Sequence, residues 1–123
     1  MQYLLFFRSP CEGLSFRFDH IAVPIADIES LFTEEPKEGD SRTSEIGPLS
    51  MSEGDVVGTR IGAPGNVFVD FGVYDEFRRL PIPKHPNAGG LAAVCFYDFF
   101  NPEIASPLRS RVGGIYTIDP DIC

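Results

Sequence analysis

Apolar and polar positions fall along this chain in patches that predict short strands and few helices. Residues 3–7, Tyr3-Leu4-Leu5-Phe6-Phe7, form a continuous apolar run closed by Arg8-Ser9-Pro10. A run of this kind predicts a central strand with both faces covered. Residues 9–14 predict a turn. Residues 16–23 begin with strict alternation: Phe16, Phe18 and His20 share one face, Arg17 and Asp19 the other. That predicts a second strand, antiparallel to the first because the connection is short. Pro24 ends it. Ile28, Leu31 and Phe32 then recur at helical spacing, which predicts a short helix over residues 27–32, with Asp27 and Glu29 in its first turn and Pro36 as its stop. Residues 34–47 are polar and predict a solvated loop, with an edge strand near residues 44–46.

The chain is organised around residues 48–77. Ser50-Met51-Ser52-Glu53-Gly54-Asp55 leads into Val56-Val57, and Val67-Phe68-Val69-Asp70-Phe71 follows after a spacer of Gly58, Gly62, Ala63, Pro64, Gly65 and Asn66. The β-branched and aromatic runs predict two strands and the spacer predicts a tight loop. Ser50, Ser52 and Asp55 carry short oxygen-bearing side chains suited to bonding nearby backbone N–H groups, and Gly54 permits positive φ, so these four residues are expected to shape a turn. Residues 74–80 predict a helical turn with Phe77 and Leu80 inward. Pro81, Pro83 and Pro86 with Gly89-Gly90 predict a stiff loop. Residues 91–100 are the most apolar stretch; their composition favours a strand, and periodicity leaves a buried helix open. Asn101-Pro102 and Pro107 are read as breakers, and residues 114–119 as a last strand. No repeat and no second domain is visible. The expected architecture is a single α+β domain over 1–123, a mostly antiparallel sheet of five to seven strands with one or two short helices.

Composition narrows the function classes. The chain has 123 residues, 43% of them hydrophobic, enough for a core. Eleven phenylalanines against four tyrosines and no tryptophan point to apolar anchors in core or interface. The net charge of −8 repels phosphate backbones and anionic lipids, so direct nucleic-acid or membrane binding is not expected. Such acidity keeps a small protein soluble, and it also suits a basic protein partner, including a nucleic-acid-binding one. Five carboxylates concentrate in the loop at Glu34, Glu35, Glu38, Asp40 and Glu45, the expected partner-binding surface under that reading. The N-terminal run is too short for a signal peptide, and no apolar run approaches the ~18 residues of a membrane span. A cytoplasmic location is expected. Cys11, Cys95 and Cys123 are odd in number and form no CxxC pattern, which fits reduced thiols, with Cys95 as a small core residue.

Complete catalytic sets are missing. There is no GxxxxGK[ST], no HExxH and no Gly-x-Ser-x-Gly. His20 and His85 are the only histidines, and no spacing sets either beside a nucleophile. Asp70, Asp75, Glu76, Asp98 and Glu103 supply carboxylates whose separation only a fold can fix. No catalytic residue and no cofactor is expected.

Two stretches resemble known families. Ser50-Met51-Ser52-Glu53-Gly54-Asp55-Val56-Val57, followed by Val67-Phe68-Val69-Asp70-Phe71-Gly72 and Phe77, resembles the YodL-like domains, with the similarity running over residues 16–77. It departs from their pattern at Pro48-Leu49 before the first serine and at Gly72-Val73-Tyr74. The resemblance implies a phage or mobile-element accessory protein that acts by binding in the host cytoplasm, as a counter-defence inhibitor of a host protein or an acidic decoy of nucleic acid. The other stretch, Phe18-Asp19-His20-Ile21-Ala22-Val23-Pro24-Ile25-Ala26-Asp27-Ile28-Glu29, is similar to the opening of vicinal-oxygen-chelate (glyoxalase-like) modules. It implies a metal-dependent enzyme or small-molecule binder with His20 as a metal ligand. The Phe-Tyr and Leu-Gly that follow the helix in those modules are replaced here by Phe32-Thr33-Glu34-Glu35. The leading expectation is the non-enzymatic binding protein, with the glyoxalase-like reading second. A structural subunit anchored through residues 91–100 comes third, and the oligomeric state is left open.

Overall fold

The computed structural model describes residues 1–35, 37–40, 43–77 and 93–110. Among them are five strands: β1 (Tyr3–Ser9), β2 (Leu14–Pro24), β3 (Gly58–Ile61), β4 (Asp70–Asp75) and β5 (Ala93–Val94). Two short helices accompany them, α1 (Ala26–Glu29) and α2 (Pro102–Arg109), with a 3-10 turn at Phe96–Phe99. The strands form one antiparallel sheet in the order β1-β2-β4-β5, with β3 also paired to β2. This is the small α+β architecture that the patterning predicts. No described helix is long and apolar enough to cross a membrane.

The chain divides into two compact units, Met1–Leu5 with Phe18–Asp70, and Phe6–Arg17 with Phe71–Cys123. In the first unit Leu5, Ile21 and Ile28 are buried. β3 lies close on β2: a Cβ at Gly58 would stand 2.7 Å from Ile21 Cγ2 and 3.0 Å from Val23 O, so a larger residue there would have to push Ile21 aside. Pairing runs Ile21 to Ile61, Val23 to Arg60 and Pro24 to Gly58, with irregularities on either side of Val23. These register shifts fall in the last residues of β2 before α1. In the second unit Val73, Val94, Tyr97 and Ala105 are buried. Phe71, Phe96 and Phe100 pack around one another, with ring centroids 5.5 to 6.0 Å apart. Asp75 is fully buried, and its Oδ1 accepts the Phe77 N–H at 3.1 Å.

Several local expectations are corrected. β1 stands at an end of the described strand order with Leu4 and Phe6 exposed and Leu5 buried, so one of its faces is uncovered where a central strand covered on both was expected. The strands of the organising stretch begin later than β-propensity suggests, at Gly58 and Asp70. Val56 and the 72%-exposed Val67 lie outside them. Residues 44–46 form no strand. Tyr74 and Asp75 extend β4 where a helical turn was expected, and Phe77 is exposed, its ring lying against the backbone of Gly13. Residues 93–100 combine a two-residue strand and a 3-10 turn. Asn101-Pro102 opens a helix instead of breaking one: Asn101 Oδ1 accepts the Glu103 N–H at 2.9 Å, and proline suits the first helical position because no N–H is needed there. Pro107 sits in the last turn of that helix. Cys95 is disulfide-bonded, not a reduced thiol, while Cys11 is free and exposed. An odd cysteine count still accommodates one bridge, and bridging depends on spatial approach that spacing does not encode. The expectations for Pro36, for the loop at 81–90 with His85, and for a strand at 114–119 lie outside the described residues.

Ser52–Asp55 is a turn closed twice. Asp55 N–H donates to Ser52 O at 3.1 Å, and Ser52 N–H donates to Asp55 Oδ2 at 2.7 Å. Gly54 sits at its third position with φ +90°, as a type II turn requires. Nothing lies within 4 Å of a Cβ built there, so the backbone angle alone resists substitution. Gly54→Ala is expected to cost about 1 kcal/mol, the left-handed penalty of an L-residue. Urea unfolding checks this; an unchanged midpoint would show that the turn relaxes without cost.

Candidate metal centre

His20 is the one described non-glycine residue with positive φ, at +64°. Alternation along β2 predicts Asp19 on the face opposite His20. The left-handed backbone at His20 breaks that alternation and brings the two side chains to one place. Two bonds hold the kink: His20 N–H donates to Asp19 Oδ1 at 2.7 Å, and His20 O accepts the Gly62 N–H at 2.7 Å.

Gly62 begins the hairpin tip that carries the remaining partners. Ala63 and Asn66 exchange both backbone hydrogen bonds, at 3.0 and 2.9 Å, around Pro64-Gly65. Proline followed by glycine at φ +82° is the sequence a type II turn demands. The returning chain then places Phe68 and Asp70 beside the imidazole. The Phe68 ring centroid is 4.2 Å from that of His20, and Asp70 Oδ2 is 3.8 Å from His20 Nε2. On the other side, His20 Nδ1 is 2.7 Å from Gln2 Oε1. An amide oxygen only accepts, so Nδ1 is the donor in this contact, and Nε2 is the ring nitrogen that faces Asp70. This is the arrangement in which a second hydrogen bond fixes the tautomer of a metal-binding histidine.

One ligand atom each from Asp19, His20 and Asp70 lies within 4.8 Å of the others. Two donors about 2.1 Å from one ion stand at most about 4.2 Å apart. The His20–Asp70 separation of 3.8 Å already satisfies that limit, and no two of the three atoms stand more than 4.8 Å apart. One imidazole and two carboxylates form a donor set suited to divalent first-row metals. An ion pair between groups as exposed as these, 28% for His20 and 58% for Asp70, contributes only about 0–1 kcal/mol. That is less than the roughly 1–3 kcal/mol of strain stored in such a backbone.

The other singled-out residues stand elsewhere. Glu34, Glu35, Glu38, Asp40 and Glu45 are exposed. Glu76 pairs with Arg8 at 3.4 Å, and Asp98 pairs with Arg109, whose guanidinium also lies over the Tyr97 ring. Glu103 opens α2. Sequence reasoning missed Gln2, Phe68 and the contribution of Asp19. A strict period of two hides Asp19, and Gln2 and Phe68 are far from His20 in sequence. The usable signal was the Asp19-His20 dipeptide, since both residue types tolerate left-handed backbone better than most.

No family model, no curated protein and no solved structure matches this chain.

Proposed function

We propose that the protein binds a divalent first-row metal ion through Asp19, His20 and Asp70. The observation that carries this reading is the His20 imidazole itself: held in left-handed backbone, bonded at Nδ1 by Gln2 and aimed at Asp70 through Nε2. The similarity of residues 18–29 to vicinal-oxygen-chelate modules supports the same ligand. Three protein donors leave further positions for water or a small ligand, which is what a Lewis-acid or ligand-binding role needs. The protein-partner reading has an exposed acidic stretch in its favour, joined by no further observation that points to a partner.

Calorimetric titration of desalted protein with Mn2+ tests the proposal. Mn2+ is chosen because Cys11 is a free exposed thiol, and thiolates prefer softer ions. One ion per chain is expected, with a dissociation constant on the order of micromolar. Absence of heat and of retained metal at roughly hundredfold higher concentration would remove the reading.

A further inference from the structure

The metal reading leaves the Ser50–Asp55 motif unused, and that motif lines a separate cleft within the first unit. The cleft measures about 310 Å3 and opens between the start of α1 and the turn before β3. That is the size of a small-ligand site. Its walls exist because Ile25 N–H donates to Val57 O at 3.3 Å, tying the end of β2 to the chain entering β3. The doubly closed Ser52–Asp55 turn stiffens the other side. Apolar surface comes from Ile25, Leu49, Met51 and Val56; polar groups come from Asp27, Ser50 and Asp55. Among the described residues no basic side chain lines it.

We propose that this cleft binds a small organic cation, a primary ammonium on an aliphatic stem. An ammonium has three donors and no acceptor, and the lining offers three side chains that accept: two carboxylates and a hydroxyl. One Asp55 oxygen already takes the Ser52 N–H, and a carboxylate has further acceptor sites to give. An anion would meet both aspartates and a net charge of −8. A neutral apolar ligand would strip water from two carboxylates without replacing it. The stem has Ile25, Leu49 and the adaptable Met51 to lie on.

The test compares 1,6-diaminohexane with 1,6-hexanediol, of equal length but uncharged, by amide chemical shifts of the 15N-labelled chain. The diamine is expected to move the signals of Asp27, Met51 and Asp55 with a dissociation constant of about a millimolar, and the diol to bind at least about tenfold more weakly. Asp27 is exposed, so Asp27→Asn should fold; it is expected to weaken the diamine about fivefold to tenfold and leave the diol unchanged. Ser50→Ala, a second exposed position, is expected to weaken the diamine about threefold. Glu38→Gln should have no effect. Equal binding of diamine and diol would overturn the proposal. So would shifts spread over the acidic surface with Asp27→Asn and Ser50→Ala both silent.

Discussion

Replacing His20 with asparagine is expected to lower Mn2+ affinity by roughly a hundredfold or more while the fold persists. Loss of a group that merely orients a ligand costs about 10–100-fold, and His20 is proposed as a ligand itself. Asparagine is the informative replacement because it tolerates left-handed backbone, and His20 stands at φ +64°. Alanine would confound loss of the imidazole with backbone strain. A companion variant, Gln2→Ala, removes the acceptor 2.7 Å from Nδ1 and leaves every proposed ligand in place. It is expected to weaken binding by about tenfold. Calorimetry of the variants, with circular dichroism for the fold, reads both effects. Full affinity in His20→Asn would exclude the imidazole as a ligand. An unaltered Gln2→Ala would show that the ring orientation is set elsewhere.

Gly62→Ala is expected to destabilise the chain by about 3 kcal/mol, among the larger effects of a single substitution. Gly62 has φ +67°, and a Cβ there would stand 2.4 Å from Asn66 O and 2.8 Å from both Phe68 N and Val67 Cα. All three are backbone atoms of the returning hairpin arm, so no side-chain rotation relieves the clash. Gly65 is the control: its φ is +82°, but nothing lies within 4 Å of an added Cβ. Gly65→Ala should therefore cost only the ~1 kcal/mol of left-handed backbone. The difference between the two in urea isolates the crowding. Because Gly62 N–H is bonded to His20 O and the same arm carries Phe68 and Asp70, Gly62→Ala should also weaken Mn2+ binding, whereas Gly65→Ala should not. Equal stability of the two alanine variants would mean that the hairpin arm yields freely.

These predictions rest on features of unequal visibility in the sequence. Pro64-Gly65 and Ser52-Glu53-Gly54-Asp55 could be recognised as turns because each turn type demands particular residues at particular places. Ile28 could be recognised as a core residue because helical spacing marks it. The strand starts at Gly58 and Asp70 could not: local β-propensity points to Val56 and Val67, and the pairing that overrules it comes from β2, tens of residues away. The helix at Pro102–Arg109 was hidden by reading proline only as a breaker, although Asn101 before Pro102 is a recognisable start.

The sequence by itself determined a small α+β chain of short strands, its acidic charge, its turns, and His20 as the histidine worth following. These depend on residue type, short-range spacing and local backbone preference. Only the tertiary structure decided that Asp19 joins His20 on one side of β2, that Gln2 meets Nδ1, and that Asp70 and Phe68 return beside the ring. The physical reason is that one left-handed residue inside a strand resets which side chains share a face. The hairpin that supplies Asp70 is positioned by hydrogen bonds between segments distant in the chain, which no local pattern encodes.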